Sequence, residues 1–197
     1  MTAEHLSQPS DRLPPSPLIQ RLSSRLEMEG LVEQDILDMG CGTGRNSQYL
    51  SSLGHAVLGV SIEYDAVKIA SYNDTGSRSA YIVSDVRNLA LRKRFDVVIM
   101  NELLHMMPKN ESKQVIKDCR SLTKPGGLNA ISGYLVTDDI KRVAHQEQCF
   151  HQKELLQTYT NMGWHVIEYI EALKPVSYFR GEERVNSLTS IIARKPK

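Results

Sequence analysis

Ile36-Leu37-Asp38-Met39-Gly40-Cys41-Gly42-Thr43-Gly44 is the stretch that decides how this chain is read. An apolar run closes on an acid, glycines follow on alternate positions, and Arg45-Asn46-Ser47-Gln48-Tyr49-Leu50 then reads as the start of a helix. Strand, glycine turn and helix in that order let main chain approach a bound nucleotide where side chains would stand in the way. The dinucleotide fingerprint G-x-G-x-x-G does not fit. Counted from Gly40 its third glycine falls on Arg45, and counted from Gly42 it falls on Ser47. The pattern is an acid followed by G-x-G-x-G.

Around this stretch, elements alternate. Apolar runs predict strands at 35–39, 56–60, 80–83, 95–100, 128–134, 165–169 and 189–194, and helices are expected at 18–29, 45–53, 65–72, 110–122 and 152–162. Asp96-Val97-Val98-Ile99-Met100 is apolar on both faces after its acid, as a buried parallel strand should be. Alternation of this kind implies an α/β fold with a doubly wound, mostly parallel seven-stranded sheet. The close spacing of the last two strands adds an antiparallel hairpin at one edge. Residues 18–197 are expected to form a single domain, and 1–17, rich in Pro, Ser and charge, a flexible leading segment.

Composition narrows the function classes. Lys and Arg number 24 against 23 Asp and Glu, for a net charge of +1, and the compact basic run Arg92-Lys93-Arg94 has no aromatic neighbour. That is not the electrostatic footprint of a nucleic-acid or anionic-lipid binder. The three cysteines are odd in number and form no C-x-x-C pair, so a reducing, cytoplasmic setting is expected. No segment is long and apolar enough to span a bilayer. His145, Cys149 and His151 stand at H-x3-C-x-H with no second cluster at zinc-finger distance, so no metal site is expected.

Four motifs in order carry a resemblance. The acid and glycine turn at Asp38 to Gly44 is followed by Ser84-Asp85-Val86 closing the third strand. Then come Asp96 to Met100 with the exit Asn101-Glu102-Leu103-Leu104-His105, and Leu122-Thr123-Lys124-Pro125-Gly126-Gly127 before the fifth strand. Across roughly residues 35–135 the chain resembles the class I S-adenosylmethionine (SAM)-dependent methyltransferases, which have a Rossmann-like fold. Gly44-Arg45-Asn46-Ser47, Phe150 ahead of a helix, and Ala193-Arg194-Lys195 look most like the small bacterial tellurite-resistance (TehB-like) members. The resemblance implies SAM as cofactor, S-adenosylhomocysteine (SAH) as product, and a cofactor site drawn from Asp38, Gly40, Cys41, Gly42, Gly44, Asn46, Ser61, Ile62, Glu63, Asp85, Val86 and Asn101. It also implies that Asp85 accepts from the adenine amino group.

One departure stands out. Where the family ends its second strand on an acid that takes both ribose hydroxyls, this chain has Ser61, with Glu63 two positions on. A hydroxyl is a weaker, single-atom partner than a carboxylate, which leaves three accounts: Glu63 or an ordered water compensates, the favoured one; the ribose is held by fewer bonds; or the pocket has lost its usual ligand. The same neutral residue would suit an NADP-dependent reductase, but no Arg lies in 61–67 to meet a 2′-phosphate. It would also suit a protein of this fold that binds SAM or SAH without turning it over.

Ligands of open α/β sheets sit outside the carboxyl ends of the strands. That puts 101–108, 134–150 and 174–184 around an acceptor, with the leading segment as a lid. His105 is the candidate general base, since imidazole titrates near neutral pH. Tyr134, Phe150, Tyr178 and Arg180 are candidate acceptor contacts, and Cys41 reads as a small filler in the turn. A small-molecule acceptor is expected, with no nucleic acid or membrane as partner, acted on by a monomer or homodimer.

Overall fold

The structure is a computed structural model, and it describes residues 14–74, 78–136, 148–173, 177–179, 182–184 and 187–197, with 177–179 and 182–184 described as backbone only. Helix α1 (Pro17–Met28) is followed by β1 (Asp35–Met39), α2 (Arg45–Ser52), β2 (Ala56–Ser61), α3 (Tyr64–Asn73) and β3 (Ser79–Val83). Then come β4 (Phe95–Asn101), α4 (Lys109–Leu122), β5 (Thr123–Tyr134), α5 (Glu154–Thr160) and β6 (His165–Ala172). Two short strands, β7 (Ser177–Phe179) and β8 (Glu182–Arg184), pair with each other, and β9 (Leu188–Arg194) returns to the main sheet.

Seven strands form that sheet in the order β3-β2-β1-β4-β5-β9-β6. β1 to β5 run parallel, and β9 runs antiparallel to both β5 and β6. The doubly wound sheet expected from the alternation is therefore present, and the β6–β9 pair closes one side. β6, not β9, is the edge: the chain passes beyond β5, then turns back to fill the gap with β9.

Strand alternation sorts the core into two layers. Leu37, Met39, Val98, Met100 and Ile131 pack with α4 and α5, while Ile36, Val97, Ile99 and Ala130 pack with α1 and Leu50 of α2. Burial of these side chains is the main favourable contribution to folding, about 1.5–3 kcal/mol for each large one.

Several boundaries differ from the sequence reading, each for a local reason. α1 begins at Pro17, not Leu18, because Ser16 caps it and proline suits the first helical position. Ser16 is buried, and Pro17 opens the helix. α5 starts at Glu154, not at 152, because Lys153 takes a left-handed φ of 60° that a helix cannot include. β5 starts at Thr123, five residues early. Its Pro-Gly-Gly passes so close to β4 that a Cβ on Gly127 would stand 2.6 Å from the Asp96 carbonyl oxygen, and the β4–β5 register shifts there.

A buried polar chain ties β5 to the helices beneath it. Tyr159, fully buried, donates to Asn129 Oδ1 (2.9 Å); Asn129 Nδ2 donates to Thr123 Oγ1 (2.6 Å); and Thr123 Oγ1 donates to the Cys119 carbonyl (2.8 Å). Tyr159→Phe leaves the Asn129 oxygen without its donor, so stability should fall by about 1 kcal/mol. A lower urea midpoint at unchanged m-value would report it.

Candidate functional site

Asp38 is 1 % exposed and shares the parity of Ile36, so its carboxylate faces α2, where Ser47 Oγ donates to it at 2.6 Å. Burial pushes the Asp38 carboxyl up to about 6, against the opposing pull of the Ser47 hydroxyl and the Arg45 charge. The turn after it is bound to β2: Gly40 N and Cys41 N both donate to the Val60 carbonyl, at 2.8 and 2.9 Å. Those two amides are thus not free for a ligand.

Gly44 precedes α2 with φ 85°, and a Cβ there would stand 2.8 Å from Ala70 Cβ. Gly42 differs. Its φ is 55°, and a Cβ would meet nothing within 4 Å, so here the main chain of the turn lies open. The Cys41 thiol lies against Gly59, and burial pushes it up to about 12, which makes it a poor nucleophile.

At the end of β2, Ser61 is buried and its Oγ accepts from Glu63 N at 3.3 Å. Ile62, 61 % exposed, and Glu63, also exposed, lie beside it at the head of α3. Beyond β3, Asp85 is held by a neighbouring cation. Its carboxylate accepts from Arg87 N (2.9 Å) and pairs with the Arg87 guanidinium (2.6 Å), which also reaches Glu111 (2.9 Å). The Arg87 side chain holds the Asp85 carboxyl below the usual carboxylate range. The same carboxylate caps the 3-10 turn at Val86–Asn88, within which Val86 is buried.

The exit of β4 forms the far wall. Leu103 lies so close to the glycine turn that a Cβ on Gly40 would stand 2.7 Å from its Cδ1. Glu102 has φ 53°, an uncommon conformation for a side-chain-bearing residue. His105, in the 3-10 turn Leu104–Met106, stacks edge-on against Tyr134 at 4.4 Å between ring centroids. Its Nδ1 is buried with no hydrogen-bond partner among the described residues, and burial lowers its pKa against the weaker, opposing pull of Glu102.

Ser16 joins the two walls. Its N–H donates to Asn46 Oδ1 (3.0 Å) and its hydroxyl donates to Asn101 Oδ1 (2.8 Å). Nothing in the residues around the glycine turn signals this. A Ser-Pro pair at a helix start was the available clue.

Phe150, a candidate acceptor contact, packs inward. It is buried in the core, its ring fills the place of the side chain Gly133 lacks (2.7 Å to a Cβ there), and Lys109 Nζ covers it at 4.6 Å. Tyr178 and Phe179 are described as backbone only, and Lys174, Arg180, His145 and residues 1–13 lie outside the described residues.

The chain is also similar to proteins already known. A family model described as a methyltransferase domain matches residues 36–127. The probable S-adenosyl-L-methionine-dependent methyltransferase TehB of Haemophilus influenzae is 29% identical over 140 residues, covering 69% of this chain and 48% of that protein. The ubiquinone biosynthesis O-methyltransferase of Xanthomonas euvesicatoria is 34% identical over 113 residues, 55% of this chain and 45% of that one. This chain thus spans about half the length of the curated relatives it matches. The crystal structure of TehB from Haemophilus influenzae superposes with a TM-score of 0.75 at 21% identity, over 89% of this chain and 62% of that one. The fold is the Rossmann-like methyltransferase fold.

Proposed function

From its likeness to the class I SAM-dependent methyltransferases, in sequence over 36–127 and in fold over most of its length, we propose that this chain binds SAM and transfers its methyl group to a small-molecule acceptor by in-line displacement. The observation that carries the reading is the turn itself: a bare main-chain position at Gly42 beside a buried ionisable acid, Asp38. The residues present suit such a ligand. Asp38 supplies negative charge for an ammonium, Glu63 supplies the carboxylate for ribose hydroxyls that Ser61 cannot, and Ile62 offers an apolar face to a base. Asp85, with Arg87 attached, faces the adenine end.

A bound SAM supplies a sulfonium methyl that is already activated. The protein's part is then to position the acceptor, exclude water and, where the acceptor carries a proton, remove it. His105 takes that last role: lowered by burial, its imidazole is neutral at physiological pH and able to accept. Tyr134 fixes the ring. The near-neutral charge favours small molecules over nucleic acid, and an odd number of cysteines with no C-x-x-C pair suits a reducing cytoplasm. The unit acts as one domain, monomeric or dimeric.

Titration calorimetry with SAM, SAH and NADPH tests the cofactor, followed by SAH-release assays against thiols, amines and chalcogen oxyanions. Saturable SAM and SAH binding with release on one acceptor class is expected. Binding without release across all classes would favour a SAM-binding, non-catalytic role, the reading that Ser61 motivates. Binding of NADPH instead would overturn both.

A further inference from the structure

We infer that Ser16, the residue capping α1, is a positioning residue that turns two asparagine amides toward the amino-acid end of the cofactor; this rests on the reading of the site as a SAM pocket. Three atoms make the argument. Ser16 N–H donates to Asn46 Oδ1, and because a main-chain N–H can only donate, the asparagine oxygen must face it. Ser16 Oγ accepts from Ile19 N (3.4 Å) as the helix cap, so its proton goes to Asn101 Oδ1 (2.8 Å). Ser132 Oγ does the same from the opposite side: it accepts from Glu102 N (3.2 Å) and donates to Asn101 Oδ1 (3.1 Å).

Both asparagine oxygens are therefore committed to holding α1 in place. What either side chain can offer a ligand is N–H, and the amide nitrogens have no hydrogen bond to any described residue. Asn46 lies in the first turn of α2 and Asn101 at the end of β4, flanking the gap between β1 and β4. Ser61, Glu63 and Asp85 occupy the other side of the glycine turn, at the ends of β2 and β3. A ligand lying across the strand ends thus meets acceptors on the β2–β3 side and a pair of N–H donors on the β1–β4 side. Within SAM and SAH, the group that asks for donors alone is the carboxylate of the amino-acid end. Ser16 makes no contact with it. Together with Ser132 at Asn101, it sets which atom of each amide faces inward, and it couples the seating of α1 to the donor pair.

The test compares SAH with 5′-methylthioadenosine, which keeps the nucleoside and thioether but has no amino acid. Ser16→Ala should weaken SAH binding about fivefold by calorimetry and leave 5′-methylthioadenosine unchanged, and Ser16→Thr, which keeps the hydroxyl, should restore it. Asn46→Asp keeps the acceptor for Ser16 N–H but replaces the amide donor with a carboxylate oxygen, and should weaken SAH more than Ser16→Ala does, again sparing 5′-methylthioadenosine. Equal losses for both ligands, or no loss for SAH, would overturn the inference while the SAM reading stands. Wild-type protein that binds neither compound would overturn the reading beneath it.

Discussion

Asp38→Ala should weaken SAM and SAH binding at least tenfold, about 1.4 kcal/mol, by titration calorimetry. Two effects combine in that loss. The variant removes negative charge beside the open turn, and it leaves Ser47 Oγ without the acceptor that fixes the start of α2. Asp38→Asn separates them, since the amide oxygen still accepts from Ser47 while the charge is gone. The pH dependence is the sharper readout. A carboxyl that titrates at about 6 must be ionised to attract an ammonium, so affinity should fall about tenfold per pH unit below 6.

The stability of the unliganded protein moves the other way. A folded-state pKa raised above the unfolded value favours the native state at low pH, and that contribution is lost as pH rises through about 6. Affinity and stability should therefore run in opposite directions between about pH 4 and 6, and Asp38→Asn should flatten both. Unchanged affinity in Asp38→Ala would remove this residue from the site.

His105→Ala should lower kcat about a hundredfold on an acceptor that must lose a proton, with the dissociation constant for SAH nearly unchanged. The expectation comes from position and environment together. His105 follows the end of β4 by four residues, and its ring is held by Tyr134. Because burial lowers its pKa, the acid limb of the kcat profile should lie below the ordinary imidazole range, and activity should be flat above it. An acceptor that is already an anion should escape the defect. Equal losses in kcat and in SAH affinity would mean that the ring only packs the exit of β4.

What was legible in the sequence was what is local. The turn from β1 into α2 is one continuous stretch, and the apolar runs report strand and helix through their own periods. Asp38 was readable for the same reason: it closes the strand that the glycines follow. The pieces that escaped are long-range. Ser16 meets Asn46 and Asn101 across 30 and 85 residues, and nothing in its neighbours says so. Phe150 reads as an acceptor contact from its place in 134–150, and its ring occupies the space beside Gly133. A glycine inside a strand is a sign of such close approach, so that signal was present in Ser132-Gly133-Tyr134. Asp85 lies two residues past the end of β3, and its engagement by Arg87 depends on a 3-10 turn that has no periodicity to reveal it.

The insertion of β9 between β5 and β6 sets the order in which the molecule can assemble. β5 and β6 are made first and have no bond to each other, so β6 stays outside the sheet until the chain has passed it by and come back. During synthesis the half of the sheet from β3 to β5 can form while this side remains unzipped, with the open flank of β5 exposed to other chains. The final closure is a contact between distant parts of the sequence, and that step should govern both how slowly the protein matures and where it first comes apart.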